Sequence, residues 1–363
     1  MTLSWEKMSE TRTLLRLPQG ERVLVAECVR NRLYSRTMLT GVDVQLIAHL
    51  IRFDQSKRYK LNVEVHPDVL SFDFRVNSTR RDIPDRNYVP RPGFFVSKKL
   101  RFLKDNQRCA LVANGNNVGY WGNQFAVIKH NWVFKTTSPI FCDANEDVSE
   151  PYRFLLQDPD GTFHVEDVYV STAAPVDEKS MAGFEFKRSS SSRAPAVGVS
   201  GFPLICSGTS VWRSYLHHAW DPRLIYEVGP IVNASRAQIL CRLVDAEFKG
   251  LPLLRHAVTV IGLDAEQHLI LVVVEASPRS QGASIDEITY LLLQLGVEDA
   301  IVTGAAGDSQ LASTDEGLIV WPLVSAHDKE ASRLVEESEI ATMVPSGVKE
   351  RPVPGVLIIE TAV

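Results

Sequence analysis

Glu275 stands directly after LILVVV (269–274), the most apolar run of the chain. A carboxylate at the mouth of such a strand is partly desolvated, which raises its pKa and suits it to general acid or base work. Further on, VTGAAGDSQ (302–310) crowds small residues where a second apolar run ends, then supplies Asp308 and Ser309. Their side chains can hold a ligand, and the N–H groups of Ala305 to Gly307 can form a small anion nest. Asn114, Gly115 and Asn116 offer amide donors and close backbone approach, with Trp121 just beyond. Arg255, His256 and Thr259 fall within five positions, and His256 and Thr259 could shuttle a proton or orient a substrate. Each has a plainer reading: a loop-entry carboxylate, a tight turn, a satisfied sheet histidine.

These residues sit at the ends of segments whose patterns name their structure. VDVQLIAHLIRFD (42–54) and YKLNVEV (59–65) are β-branched and alternating, as strands are. RHAVTVIGLDAEQHLILVVV (255–274) reads as a hairpin turning near Asp264 to Gln267. QDPDGTFHVEDVYVS (157–171) opens on a turn and runs into a strand, and RPVPGVLIIETAV (351–363) predicts a final one. Helices are few. SKKLRFLKDN (97–106) places Leu100 and Leu103 on one face with Ser97 as a cap candidate. Ser284 to Gly296 has a Ser284–Glu287 capping box and a terminating glycine. A further helix is expected near 328–341, and KRSSSSRAPA (187–196) is expected to be a mobile surface loop.

Composition narrows the function classes. A net charge of −5 over 363 residues gives no basic face for neutralising nucleic-acid phosphates. Apolar residues at 45% support a large core, but no apolar run is long enough to span a bilayer as a helix. The N-terminus lacks a signal-like apolar core, so a cytoplasmic protein is expected. Cys28, Cys109, Cys142, Cys206 and Cys241 show no CxxC spacing, so neither a zinc site nor a disulfide framework is expected. DANED (143–147) opens like a calcium loop, but Val148 and Phe154 stand where the turn glycine and the bidentate glutamate belong. Neither a metal nor a cofactor is expected. WRSYLHHAW (212–220) could form an aromatic wall for an organic ligand. Oligomeric state is not legible.

The order of segments resembles the phosphodiester glycosidase family. LILVVVEASPRSQGASIDEITYLLLQLGVEDAIVTGAAGDSQ is similar to that family's strand, loop, capped helix and strand ending in N-L-D-G-G-G-S-S. RHAVTVIGLD resembles its R-H-P-R-T-A-I-G stretch, YEVGPIVNAS its G-G-P-x-L segment, and LVANGNN its A-I-N-G-G-F-F. AHLIRFDQSKRYKLNVEV resembles its opening strand pair, so the likeness covers about 42–322. It implies one α+β domain over 1–363, with a large mixed β core, few helices and a deep cleft. The cleft floor is expected at the strand ends near 114–124, 255–262, 275–282 and 303–311.

The departures bear on activity. Val258 stands for the second arginine of R-H-P-R-T, Gly304 for the aspartate, and Ala305 and Ala306 for two glycines. Glu275 and, after a gap, Arg279 stand where the family has D-G-R. Cleaving a glycosyl phosphodiester needs a cation over the phosphate and a placed carboxylate. Losing the arginine removes a bidentate clamp. The catalytic candidates are Glu275, Asp308 and His256. The substrate-binding candidates are Asn114, Gly115, Asn116, Trp121, Arg255, Thr259, Arg279, Gly307 and Ser309. The first expectation is an enzyme repurposed for cyclisation, elimination or isomerisation of a small, largely uncharged organic substrate. Retained hydrolysis of glycosyl phosphodiesters and ligand binding without turnover are the alternatives.

Overall fold

The computed structural model describes residues 4–7, 12–17, 46–53, 59–66, 93–108, 110–116, 118–119, 122–123, 127–129, 132–134, 152–170, 183–184, 186–190, 193–211, 257–277, 280–283, 285–305, 309–314, 317–321, 333–334, 349–350, 352–353 and 355–361. In chain order its principal strands begin with β1 (Ser4–Lys7), β2 (Arg12–Leu17), β3 (Leu46–Phe53), β4 (Tyr59–Val65) and β5 (Ala110–Asn116). Then follow β6 (Tyr152–Gln157), β7 (Phe163–Val170), β8 (Val197–Ser200) and β9 (Phe202–Cys206). The last group is β10 (Val258–Asp264), β11 (Leu269–Val274), β12 (Val297–Ala305), β13 (Leu311–Ser313), β14 (Gly317–Val320) and β15 (Gly355–Thr361). Two helices, α1 (Val96–Asp105) and α2 (Ile285–Gln294), complete the set.

Three large sheets carry this order. The first runs β1-β2-β3-β11-β10-β12-β9 and ends on Thr209–Ser210. The second has β8, β6 and β7 at its centre, and the third runs β14-β13-β5-β15-β4. Period-two alternation sorts the first sheet's side chains between two cores. Ala48, Val258, Val260, Val272 and Val274 pack with Ile288, Leu291 and Leu292 of α2. Ile51, Ile261, Leu271, Val273 and Ile301 pack instead against Leu61, Val63, Ala113 and Leu357 of the third sheet and Leu155 and Val199 of the second. The third sheet's outer face, with Val112, Ala312 and Ile358, is covered by Val96, Leu100 and Leu103 of α1. The layers are helix, sheet, sheets, helix. Because β10 is covered on both faces, its sequence VTVIGL is a nearly unbroken apolar run.

Every described strand pair is antiparallel, although a mixed β core was expected. The reason is local. β11 and β12 are joined through α2 and run in the same sense, but β10 lies between them and pairs antiparallel with both. The helical crossover that usually signals parallel pairing here skips a strand.

Other expectations shift in detail. α1 begins at Val96, with Phe95 at the cap position and no side-chain cap of its own. Ser97 does not cap; its N–H (3.1 Å) and hydroxyl donate to the carboxylate of Glu350, which is fully buried. In α2, Gly296 follows the last turn at φ 74°, the left-handed stop its position predicted. Within the helix expected at 328–341, Arg333–Leu334 are extended and pair with Lys349–Glu350. The rest of that stretch lies outside the described residues. In the loop expected at 187–196, Arg188 is buried and donates to Glu166 (2.6 Å) and Asp158 (2.6 Å), while Ser190 donates to Glu166 through N–H and hydroxyl. Buried charge pins that segment to the second sheet. Cys206 is a half-buried free thiol; the other four cysteines lie outside the described residues. Among the described residues, no helix is long and apolar enough to cross a membrane.

Candidate functional site

β11 ends at Val274 and β12 at Ala305, while β10 runs between them in the opposite sense and starts at Val258. Three chain ends are thereby brought to one end of the first sheet. Thr259 lies opposite Val273 on one side and Gly304 on the other, and Val273 lies opposite His49 on β3. One row of the sheet thus reads His49, Val273, Thr259, Gly304. With neighbouring strands about 4.8 Å apart, the row spans roughly 14 Å, and Glu275 is about 10 Å from β12. This row faces the inter-sheet core, whereas Val258, one position away, faces α2.

Glu275 continues β11 past its last paired residue and is 4% exposed. Its Oε1 is 2.6 Å from Nε2 of His49, which is also buried. The Ser280 hydroxyl donates to the Glu275 carbonyl at 2.7 Å, tying the turn between Ala276–Ser277 and Ser280–Gln281 to the strand end. Gly282 follows at φ 78°, a left-handed position that glycine adopts without cost. The backbone of Glu275 is thus held by Ser280 and its carboxylate by His49. Among the described residues, Nδ1 of His49 has no hydrogen-bond partner.

Two β-bulges shape the neighbouring strand ends. Thr259 pairs with Gly304 but Val260 with Val302, so Thr303 is the extra residue. Gly355 pairs with Asn116 but Val356 with Asn114, so Gly115 is extra. Bulges bend a strand and re-aim its side chains, and they favour sheet ends beside functional sites. From β12 the chain passes to the third sheet, where Leu311 pairs with Ala113 of β5. Ser309, on that passage, is fully buried, and among the described residues its Oγ has no partner.

The described candidates are thus gathered along adjoining strand ends. Glu275 and Thr259 lie at one end of the first sheet, Asn114, Gly115 and Asn116 on the last residues of β5, and Ser309 between the sheets. Trp121, Arg255, His256, Arg279, Gly307 and Asp308, and the aromatic stretch 212–220, lie outside the described residues. His49 was missed by sequence reasoning. Its one signal is that it breaks the apolar set His49, Ile51, Phe53 on the inward face of β3.

At the opposite end of the sheet, the β10–β11 turn gathers Asp264, Glu266 and His268, a set that could hold a cation. Arg52 already supplies one. Its Nη2 lies 2.7 Å from Asp264, 2.5 Å from Glu266 and 2.8 Å from His268. Asp264 also accepts from the N–H groups of Glu266 (3.0 Å) and His268 (2.8 Å), so the cluster is a turn-forming network.

An antiparallel layered fold with candidate residues at its strand ends is met by a partial family match. Residues 214–360 match the phosphodiester glycosidase family model. Among solved structures, a putative exported protein from Burkholderia pseudomallei K96243 superposes with a TM-score of 0.53 at 10% identity, over 99% of this chain and 96% of that one. The two share a fold. The catalytic domain of zebrafish N-acetylglucosamine-1-phosphodiester alpha-N-acetylglucosaminidase, auto-inhibited by its pro-peptide, matches at 13% identity and a TM-score of 0.49, over 100% of this chain and 89% of that one. Comparison with curated proteins finds no match.

Proposed function

We propose that this protein is a repurposed phosphodiester-glycosidase-like enzyme that performs acid/base chemistry on a small, largely uncharged organic substrate. Cyclisation, elimination and isomerisation are the reaction types that fit. The observation that carries the reading is the pair Val258 and Gly304. They stand where the family pattern has an arginine and an aspartate, and Val258 is fully buried against α2. A valine in that core neutralises no phosphate, and a glycine in β12 supplies no carboxylate. The remaining described carboxylate at this sheet end is Glu275, held against His49. Asn114, His256, Asp308 and Ser309 would orient the substrate, with Trp121, Arg255, Thr259 and Gly307 completing its surroundings.

The family match over 214–360 favours a second reading, retained hydrolysis of a glycosyl phosphodiester with Asp308 and Arg279 in the missing roles. One experiment separates them. The purified protein is assayed on a chromogenic sugar phosphodiester, and extracts of the protein are searched by mass spectrometry for a co-purifying neutral compound. No turnover with a bound neutral compound supports repurposing. Turnover that Asp308→Ala abolishes supports hydrolysis and refutes the first reading.

A further inference from the structure

We propose that His49, and not Glu275, is the group that exchanges a proton with the substrate, and that Glu275 is the residue that positions it. The inference rests on the acid/base reading above and assigns the proton to an atom. With Glu275 ionised, its carboxylate only accepts, and we assign the proton of the 2.6 Å contact to Nε2 of His49, donated to Oε1. That leaves the lone pair on Nδ1. The nitrogen is buried in a residue 7% exposed and has no partner among the described residues. A core histidine kept for structure has both nitrogens satisfied, because burying an unpaired polar atom is costly. Here Nε2 is paired with Glu275 and Nδ1 is not, in a residue on the same sheet row as Thr259 and Gly304.

The step balances without a co-reactant. Nδ1 takes a proton from a substrate O–H, or from a C–H beside an electron-withdrawing group, and the electron pair stays on the substrate. The imidazolium that forms is stabilised by the Glu275 carboxylate, and the proton is returned to the product. The substrate class that follows is a neutral molecule with one such acidic hydrogen.

The test needs no known substrate. In protein labelled with 15N on histidine, long-range proton–nitrogen spectra report which ring nitrogen is protonated, and loss of the signal in His49→Gln assigns it. The expected result is the Nε2–H tautomer for the wild type and a mixture in Glu275→Gln. With cysteines blocked, the neutral electrophile iodoacetamide should alkylate His49 at Nδ1. Glu275→Gln should slow that labelling on the order of tenfold, the rate equivalent of about 1.4 kcal/mol of lost interaction, while labelling of half-exposed His164 is unchanged. A wild-type Nδ1–H tautomer, His49 unlabelled while His164 reacts, or labelling indifferent to Glu275→Gln would each overturn the proposal. Because the tautomer is read on the wild-type protein, a misfolded variant does not rescue it. Hydrolysis of a sugar phosphodiester would sink the proposed substrate class and leave the tautomer result standing.

Discussion

Replacing Arg153 with methionine tests whether the second sheet fixes the strand that carries the site. Arg153 lies on β6 with its side chain 10% exposed. Its guanidinium donates to Asp167 on β7 (3.2 Å), to Asp299 on β12 (2.9 Å) and to the Cys206 sulfur on β9 (3.1 Å). Burial alone would lower its pKa, but Asp167, Cys206 and Asp299 outweigh this and raise it. The cation is thus held by two sheets at once, and Asp299 is on the same strand as Gly304. Removing one member of a buried pair costs about 3–5 kcal/mol, chiefly through the charge left behind. Here Asp299 keeps the Ser207 N–H (3.2 Å), and Asp167 is one-third exposed and can be rehydrated. The expected loss is therefore at the low end, about 3 kcal/mol near pH 7. Urea denaturation followed by circular dichroism measures it. Arg153→Met with Asp299→Asn should lose less than the two single changes together, by about 1–3 kcal/mol. Additive losses, or a single-variant loss below about 0.5 kcal/mol, would mean the guanidinium behaves as a solvated surface pair and the strand needs no such staple.

Other consequences follow from particular contacts. Glu166 has its pKa lowered: burial alone would raise it, but hydrogen bonds from Ser190 and Arg188 prevail. A lowered folded pKa gives stability that is present above the unfolded value and is lost as pH falls through the folded one. Acid unfolding of Glu166→Gln should therefore be flatter with pH below about 4.3 than that of the wild type, and identical slopes would refute the assignment. A Cβ added at Gly262 would lie 2.1 Å from the carbonyl oxygen of Asp299. Gly262→Ala should cost at least about 1–3 kcal/mol in thermal or urea unfolding, and a neutral effect would show that β10 and β12 can part without penalty. Glu350→Gln should lower stability by about 1 kcal/mol through loss of charge at the first turn of α1, with a change in melting temperature as the readout.

β4 was legible because its alternation survives in the residues themselves, and β10 and β11 because two nearly unbroken apolar runs flank a polar turn. α2 was legible because its stop is local: Gly296 needs only its own left-handed turn. What failed was whatever depends on residues distant in the chain. Ser97 looks like a cap, yet the carboxylate that does the capping comes from Glu350. Serines 189 and 190 look like part of a loose loop, yet Glu166 on β7 holds them. The strand–helix–strand pattern around α2 promised parallel pairing, but nothing in it says that β10 will insert between β11 and β12.

The site shows the same division more sharply. Carboxylates and small residues at strand ends attract notice because they interrupt apolar runs, and that signal made Glu275, Thr259, Asn114 and Ser309 candidates. His49 sends the weaker signal of one polar residue inside an apolar strand, where the commonest explanation is a satisfied core histidine. Only the pairing of β3 with β11 makes it chemical, since that register sets His49 beside Val273 and within 2.6 Å of Glu275, 226 positions later. The carboxylate legible in the sequence is half of a device whose other half is visible only once the sheet is assembled. A search for acid/base chemistry in this fold must therefore start from the neighbours of each strand-end carboxylate across the sheet, rather than from the loop in which that carboxylate is found.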